Sequence, residues 1–250
     1  MTSLEIVSID EQLLVGFLLA SVRAAAWLFI APPFGRVIPP RVRAGLAFAI
    51  ALTMAPSNES LLPSDAVGLA AAVGFQAFIG LATGFIVLAF ISVFTVAGAI
   101  IDINGGFAMA SVFDPMSGTS AAVVSRTYTL LATVLIFATG GHLVLVGGFI
   151  RTFQVAPLAG PDLQALGGVA IDNIGWFFVA AIEIAFPVVA VLLMVELLLG
   201  LVARAAPQTN VLTIGFALKT GVVIISLAIA VPLLPAAVES VVELANGAAT

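Results

Sequence analysis

From Ala66 to Ile101 the chain runs for 36 residues without a charge. As one helix rising 1.5 Å per residue this stretch would be roughly 54 Å long, against a bilayer hydrocarbon core of about 30 Å. Two foldings satisfy it: a single helix that tilts and extends past the bilayer, or a helix broken near Gly74, Gly80 or Gly84. The rest of the chain is of the same kind, with 62% hydrophobic and only 8% charged residues. A soluble domain is about 45–50% apolar and about 25% charged. The reading is an all-α, polytopic membrane protein, a single membrane domain over residues 1–250.

About six apolar segments are expected, arranged as helical hairpins. The first covers about Gln12 to Ala31, contains Arg23 and stops at Pro32-Pro33. Glu5, Asp10 and Glu11 precede it in place of a basic leader region, so it is expected to stay as a membrane segment. A basic turn follows, Arg36-Val-Ile-Pro39-Pro40-Arg41-Val-Arg43, and then a second segment, Ala44 to Ala55, too short to span unaided. After the long third segment, Thr127 to Ile150 is again uncharged, with a kink expected at Gly140-Gly141-His142. The fifth segment, about Asn173 to Val202, holds Pro187, Glu183 and Glu196. A second basic turn, Arg204 to Asn210, leads through Val211–Leu218 to Lys219, and a last apolar run from Thr220 is expected to end at Pro232 and Pro235. Arg36, Arg41, Arg43, Arg126, Arg204 and Lys219 fall in alternate connections, with Arg151 the one basic exception on the other side. The positive-inside rule therefore puts the basic turns in the cytoplasm and both termini outside.

Between the two most apolar parts lies Asp102 to Gly118, followed by Thr119 and Ser120. Gly105-Gly106 can end a helix by adopting positive φ, and Asp114-Pro115 followed by Ser117-Gly118 reads as a turn. Between them Phe107, Met109, Val112 and Phe113 are too apolar for an ordinary solvated loop. Irregular backbone at membrane depth must be covered by protein or line a cavity. Residues 102–120 are therefore expected to form a plug.

The chemistry-bearing residues give little for catalysis. Cysteine is absent and His142 is the lone histidine, so neither a thiolate nor a multi-histidine metal site is expected, and no cofactor is implied. A serine protease reading of Ser117-Gly118 with His142 lacks the glycine expected where Pro115 stands. The net charge of −5 and eight scattered basic residues argue against a nucleic-acid partner. Arg23, Asp102, Glu183 and Glu196 are expensive in lipid and should face protein or water. An ion-coupled transporter could use Glu183, Glu196 and Arg204, but the two glutamates are thirteen residues apart, some 140° off a common helical face.

Four blocks together resemble the FliR family of flagellar biosynthesis proteins, which includes the corresponding subunits of virulence type III secretion. They are Arg36-Val-Ile-Pro39 with Arg41-Val-Arg43; Asp102 through Gly106-Phe107 to Asp114-Pro115-Met-Ser117-Gly118; Gly141-His142; and Arg204-Ala-Ala-Pro207-Gln208-Thr-Asn210 continuing to Lys219. The resemblance implies a non-enzymatic subunit of a helical export gate in the bacterial inner membrane, at the flagellar basal body. It further implies FliP-like and FliQ-like partners, FlhB-like and FlhA-like neighbours, surrounding membrane lipid and unfolded export substrates. In that family the loop matching Gly106 to about Ser120 closes the pore, and the subunit sits largely above the bilayer plane. The Asp-Pro-Met-Ser-Gly and Pro-Gln-Thr-Asn blocks favour the flagellar branch over the virulence alternative.

Overall fold

The computed structural model describes residues 11–32, 34–54, 65–107, 122–155, 174–206, 208 and 210–249. Among them the regular structure is entirely helical: α1 (Glu11–Ile30), α2 (Phe34–Val37), α3 (Pro40–Met54), α4 (Ala66–Asn104), α5 (Val123–Ala138), α6 (Gly141–Val155), α7 (Ile174–Ala205), α8 (Val211–Ala230), a 3₁₀ turn (Val231–Leu233) and α9 (Leu234–Ala249). Among the described residues four helical stretches are long and apolar enough to cross a membrane, or five if Val123–Ala138 and Gly141–Gln154 count as one broken span. The protein is an all-α polytopic membrane protein.

The alternatives left open for the uncharged third segment resolve to one helix, the 39-residue α4. Its glycines do not break it. Gly80 and Gly84 instead bring its backbone against α1: a methyl on Gly84 would stand 3.1 Å from the Trp27 carbonyl oxygen, and one on Gly80 would collide with the carbonyl of Arg23. Small residues are how helices approach closely where no hydrophobic effect drives them together. The break expected after α5 occurs at Gly140, which takes φ +77. Helix α8 ends at Ala230, just before Pro232 as expected, but the chain does not leave helical structure there. Pro232 lies in the 3₁₀ turn and Pro235 in the first turn of α9, where a missing N–H removes no helical bond, so the tail with Glu239 and Glu243 is helical.

The residues group into two compact units. One draws on Met1–Leu88, His142–Ile171 and Ala245–Thr250, the other on Ala89–Gly141 and Asp172–Leu244. In the first, Trp27 stacks on Phe149 at 4.5 Å between ring centroids and is tilted against Phe34 at 5.4 Å. Arg23, costly in an apolar helix, is wholly buried beside them. Its Nε donates to Gln76 Oε1 at 2.7 Å, its Nη1 donates to the Thr152 carbonyl at 3.1 Å, and its guanidinium lies 4.3 Å from the Phe153 ring centroid. Thr152 is in the last turn of α6, where carbonyls lack helical donors and the helix dipole favours a cation. At the first basic turn, Arg43 Nη1 donates to the Gly35 carbonyl at 2.7 Å.

In the second unit, Val93, Ala180 and Ala181 form a core cluster with Val96 and Ile184 against it. Helices α7 and α8 are joined by an ion pair, Lys219 Nζ to Glu196 Oε1 at 2.8 Å. Asn210 Oδ1 caps α8, accepting the Thr213 N–H at 3.3 Å. Phe178, Phe186, Met194, Leu198 and Leu201 of α7 are exposed, as a surface solvated by lipid or covered by other chains requires.

Candidate functional site

Helix α4 ends as its sequence predicts. Gly106 adopts φ +83, its N–H donates to the Ile103 carbonyl at 3.3 Å, and the next N–H, of Phe107, reaches back to the Asp102 carbonyl at 3.0 Å. These two bonds with a left-handed glycine are the Schellman arrangement that satisfies the last carbonyls of a helix. A β-carbon on Gly106 would lie 3.3 Å from the Phe216 ring, and one on Gly105 would lie 2.8 Å from Val223 Cγ2. Helix α8 thus packs directly on the stem by which the chain leaves α4.

The chain returns through α5, which begins without a local cap. Its N-cap residue is Ala122, with no side-chain acceptor. The amides of the second and third helical residues, which a capping side chain normally serves, are served instead by Asp102. Its Oδ1 accepts the Val124 N–H at 2.9 Å and its Oδ2 accepts the Ser125 N–H at 2.9 Å. The carboxylate is only 4% exposed, and its negative charge sits at a helix N-terminus, where the dipole favours it. Ser125 Oγ donates to the Thr95 carbonyl at 2.9 Å, and the Thr95 and Thr129 hydroxyls lie 2.9 Å apart. Gly98 lets the two backbones meet, since a β-carbon there would collide with Ser125. Asp102 therefore holds both stems of the loop, the outgoing one through its carbonyl and the returning one through its carboxylate.

Of the residues singled out in the sequence, Asp102, Gly106 and Phe107 come together at this stem. Met109, Val112, Phe113, Asp114, Pro115, Ser117, Gly118 and Pro207 lie outside the described residues, as does the side chain of Arg36. Pro39 is exposed, and its carbonyl accepts the N–H groups of Val42 and Arg43 at 3.0 and 3.1 Å to open α3. His142 is half-buried in the first turn of α6, while Arg204 and Gln208 are exposed near the second basic turn. Glu196 is paired with Lys219, whereas Glu183 lines a cavity with Tyr128 and Pro187. Among the described residues no three His, Cys, Asp or Glu side chains gather as metal ligands would. The roles of Thr95, Gly98 and Ser125 were not read from sequence. A carboxylate that caps a helix 22 residues later leaves no local motif; the single hint is an uncapped alanine where α5 starts.

The model of the bacterial export proteins, family 1, matches residues 14–245. The chain is similar to the flagellar biosynthetic protein FliR of Escherichia coli, 34% identical over 80% of this chain and 77% of that one. It is also similar to FliR of Bacillus subtilis, 29% identical over 93% and 92%. The surface presentation of antigens protein SpaR of Shigella flexneri is 26% identical over 77% of this chain and 76% of its own. With a family model covering nearly its whole length and this stem between its apolar helices, the chain belongs to the bacterial export proteins, family 1.

Proposed function

We propose that the chain is a subunit of the flagellar type III export gate, and that the segment from Gly106 to Ser120 seals the passage through which unfolded proteins leave the cell. The observation that carries this reading is the double use of Asp102, whose carbonyl and carboxylate pin the two stems of the loop. An apolar loop on fixed stems can close a pore and move aside without unfolding the helices that carry it. Phe107, Met109, Val112 and Phe113 supply apolar closure, which excludes ions by excluding water. Methionine adds a surface able to re-pack around varied chains.

FliP-like and FliQ-like subunits complete the gate in this reading, with FlhB-like and FlhA-like proteins beside it, in the inner membrane at the basal body. The FliR names and the 34% identity support the flagellar branch, and the SpaR likeness supports a shared export role. An ion-coupled transporter is less well supported, because Glu196 is neutralised by Lys219. A photo-crosslinking amino acid in place of Phe113, in the assembled gate with a stalled export substrate, tests the reading. It should capture the substrate, and the same probe at the exposed Leu130 of α5 should not. Capture at neither position would contradict a seal that touches the passing chain.

A further inference from the structure

Helix α7 carries a proline at its centre, and beside it lies a cavity of about 250 Å³. Tyr128, Glu183, Pro187, Leu234, Ser240 and Val241 are among its walls. Pockets that hold whole small molecules run from about 300 to 1,000 Å³, so this one is sized for a single long side chain. Its polar residues, Tyr128, Glu183 and Ser240, offer oxygen acceptors, and none of its lining residues carries a cation. Pro187 has no N–H, which deprives the Glu183 carbonyl four residues earlier of its helical partner. Glu183 is exposed on an apolar helix, where a carboxylate is expensive unless it meets a cation. Tyr128 is 1% exposed and its hydroxyl oxygen has no hydrogen-bond partner among the described residues. The Ser240 hydroxyl already donates to the Ala237 carbonyl at 3.0 Å.

One carboxylate, one backbone carbonyl and one phenol oxygen suit an ammonium group, which has three donors and no acceptor. The otherwise apolar wall accommodates a four-carbon stem behind such a charge. The chain itself cannot provide it. Its single lysine, Lys219, is bound to Glu196 at 2.8 Å, and in a second copy of the chain the same lysine would be engaged in the same way. The geometry points to the ε-ammonium of a lysine from a different subunit as the occupant of this cavity. The inference rests on the reading of the chain as one subunit of an export assembly, and adds the chemistry by which a neighbour is held.

Dicyclohexylcarbodiimide, which enters apolar sites, activates a carboxyl as an O-acylurea that a nearby amine attacks to form an amide, the reagent leaving as dicyclohexylurea. Applied to native membranes holding the assembled complex, it should link Glu183 to one lysine of another polypeptide, as read by peptide mass analysis. The Glu196–Lys219 pair supplies an internal standard in the same sample. Glu183→Gln should abolish the intersubunit link, and Tyr128→Phe should weaken it about two- to tenfold relative to the standard, as loss of one hydrogen bond predicts. An amide to a phosphatidylethanolamine headgroup would overturn the assignment in favour of lipid. Glu183 left unmodified, or converted only to its N-acylurea, while the standard forms, would overturn it as well. If the complex assembles and the loop still seals, that failure touches the lysine alone. If the chain purifies with no other subunit, the export-assembly reading fails with it.

Discussion

Asp102 Oδ2 lies 2.9 Å from the amide nitrogen of Ser125, a residue 23 positions further along the chain. Through that bond and its twin to Val124, the end of one apolar helix serves as the N-cap of the next. The loop between them is closed at its base by a charged group that is itself almost fully buried.

Removing the carboxylate should loosen this base. Asp102→Ala strands two helix N-terminal amides in a buried setting and should cost about 1–3 kcal/mol. Asp102→Asn keeps one acceptor oxygen but loses the charge at the helix N-terminus, worth about 0.3–1 kcal/mol, and should fall between. Thermal unfolding of the purified complex, followed by intrinsic fluorescence, gives the order parent, Asn, Ala. An alanine variant as stable as the parent would mean that the cap contributes nothing.

Gly98 and Gly74 should respond with opposite signs. A methyl at Gly98 collides with the backbone of Ser125, and overpacking of this kind costs about 1–3 kcal/mol. A methyl at Gly74 meets nothing within 4 Å, so Gly74→Ala gains helix propensity of up to about 1 kcal/mol. The same unfolding assay separates them, and equal effects would contradict the close approach of α4 and α5.

The basic turns should face the cytoplasm. Cysteines placed at Arg41 and Gln208, both exposed, should escape an impermeant reagent added outside intact cells, and one at Ser60 should react. Strong labelling at Arg41 from outside would reverse the orientation.

Helix type was legible because hydropathy alone dictates it in a chain this apolar; against about six expected apolar segments, the described residues carry four membrane-length stretches, or five with the bent pair. The stop at Gly106 was legible too, since positive φ favours glycine and the apolar run ends there. What glycine does inside a helix was not. Gly80 and Gly84 read as possible breaks, yet they are contact points with α1, a distinction that depends on which helix lies alongside. Asp102 was marked as a burial problem, but its solution lies on a backbone 22 residues away, and backbone amides carry no sequence signature. Pro232 does mark the end of α8, but Pro235 stands in the first turn of α9, where a proline's missing N–H costs no helical bond, so the chain becomes helical again.

The conductance of the assembled complex in a planar bilayer tests most directly whether the loop closes the passage. Deleting Ala108 to Ser117, which spares the Gly106–Phe107 cap of α4, should leave assembly intact and open a steady leak to ions or small solutes. Replacing Phe107 and Phe113 together by alanine should leak less, in proportion to the apolar packing lost. A deletion complex that assembles and stays as tight as the parent would place the closure elsewhere and contradict the account.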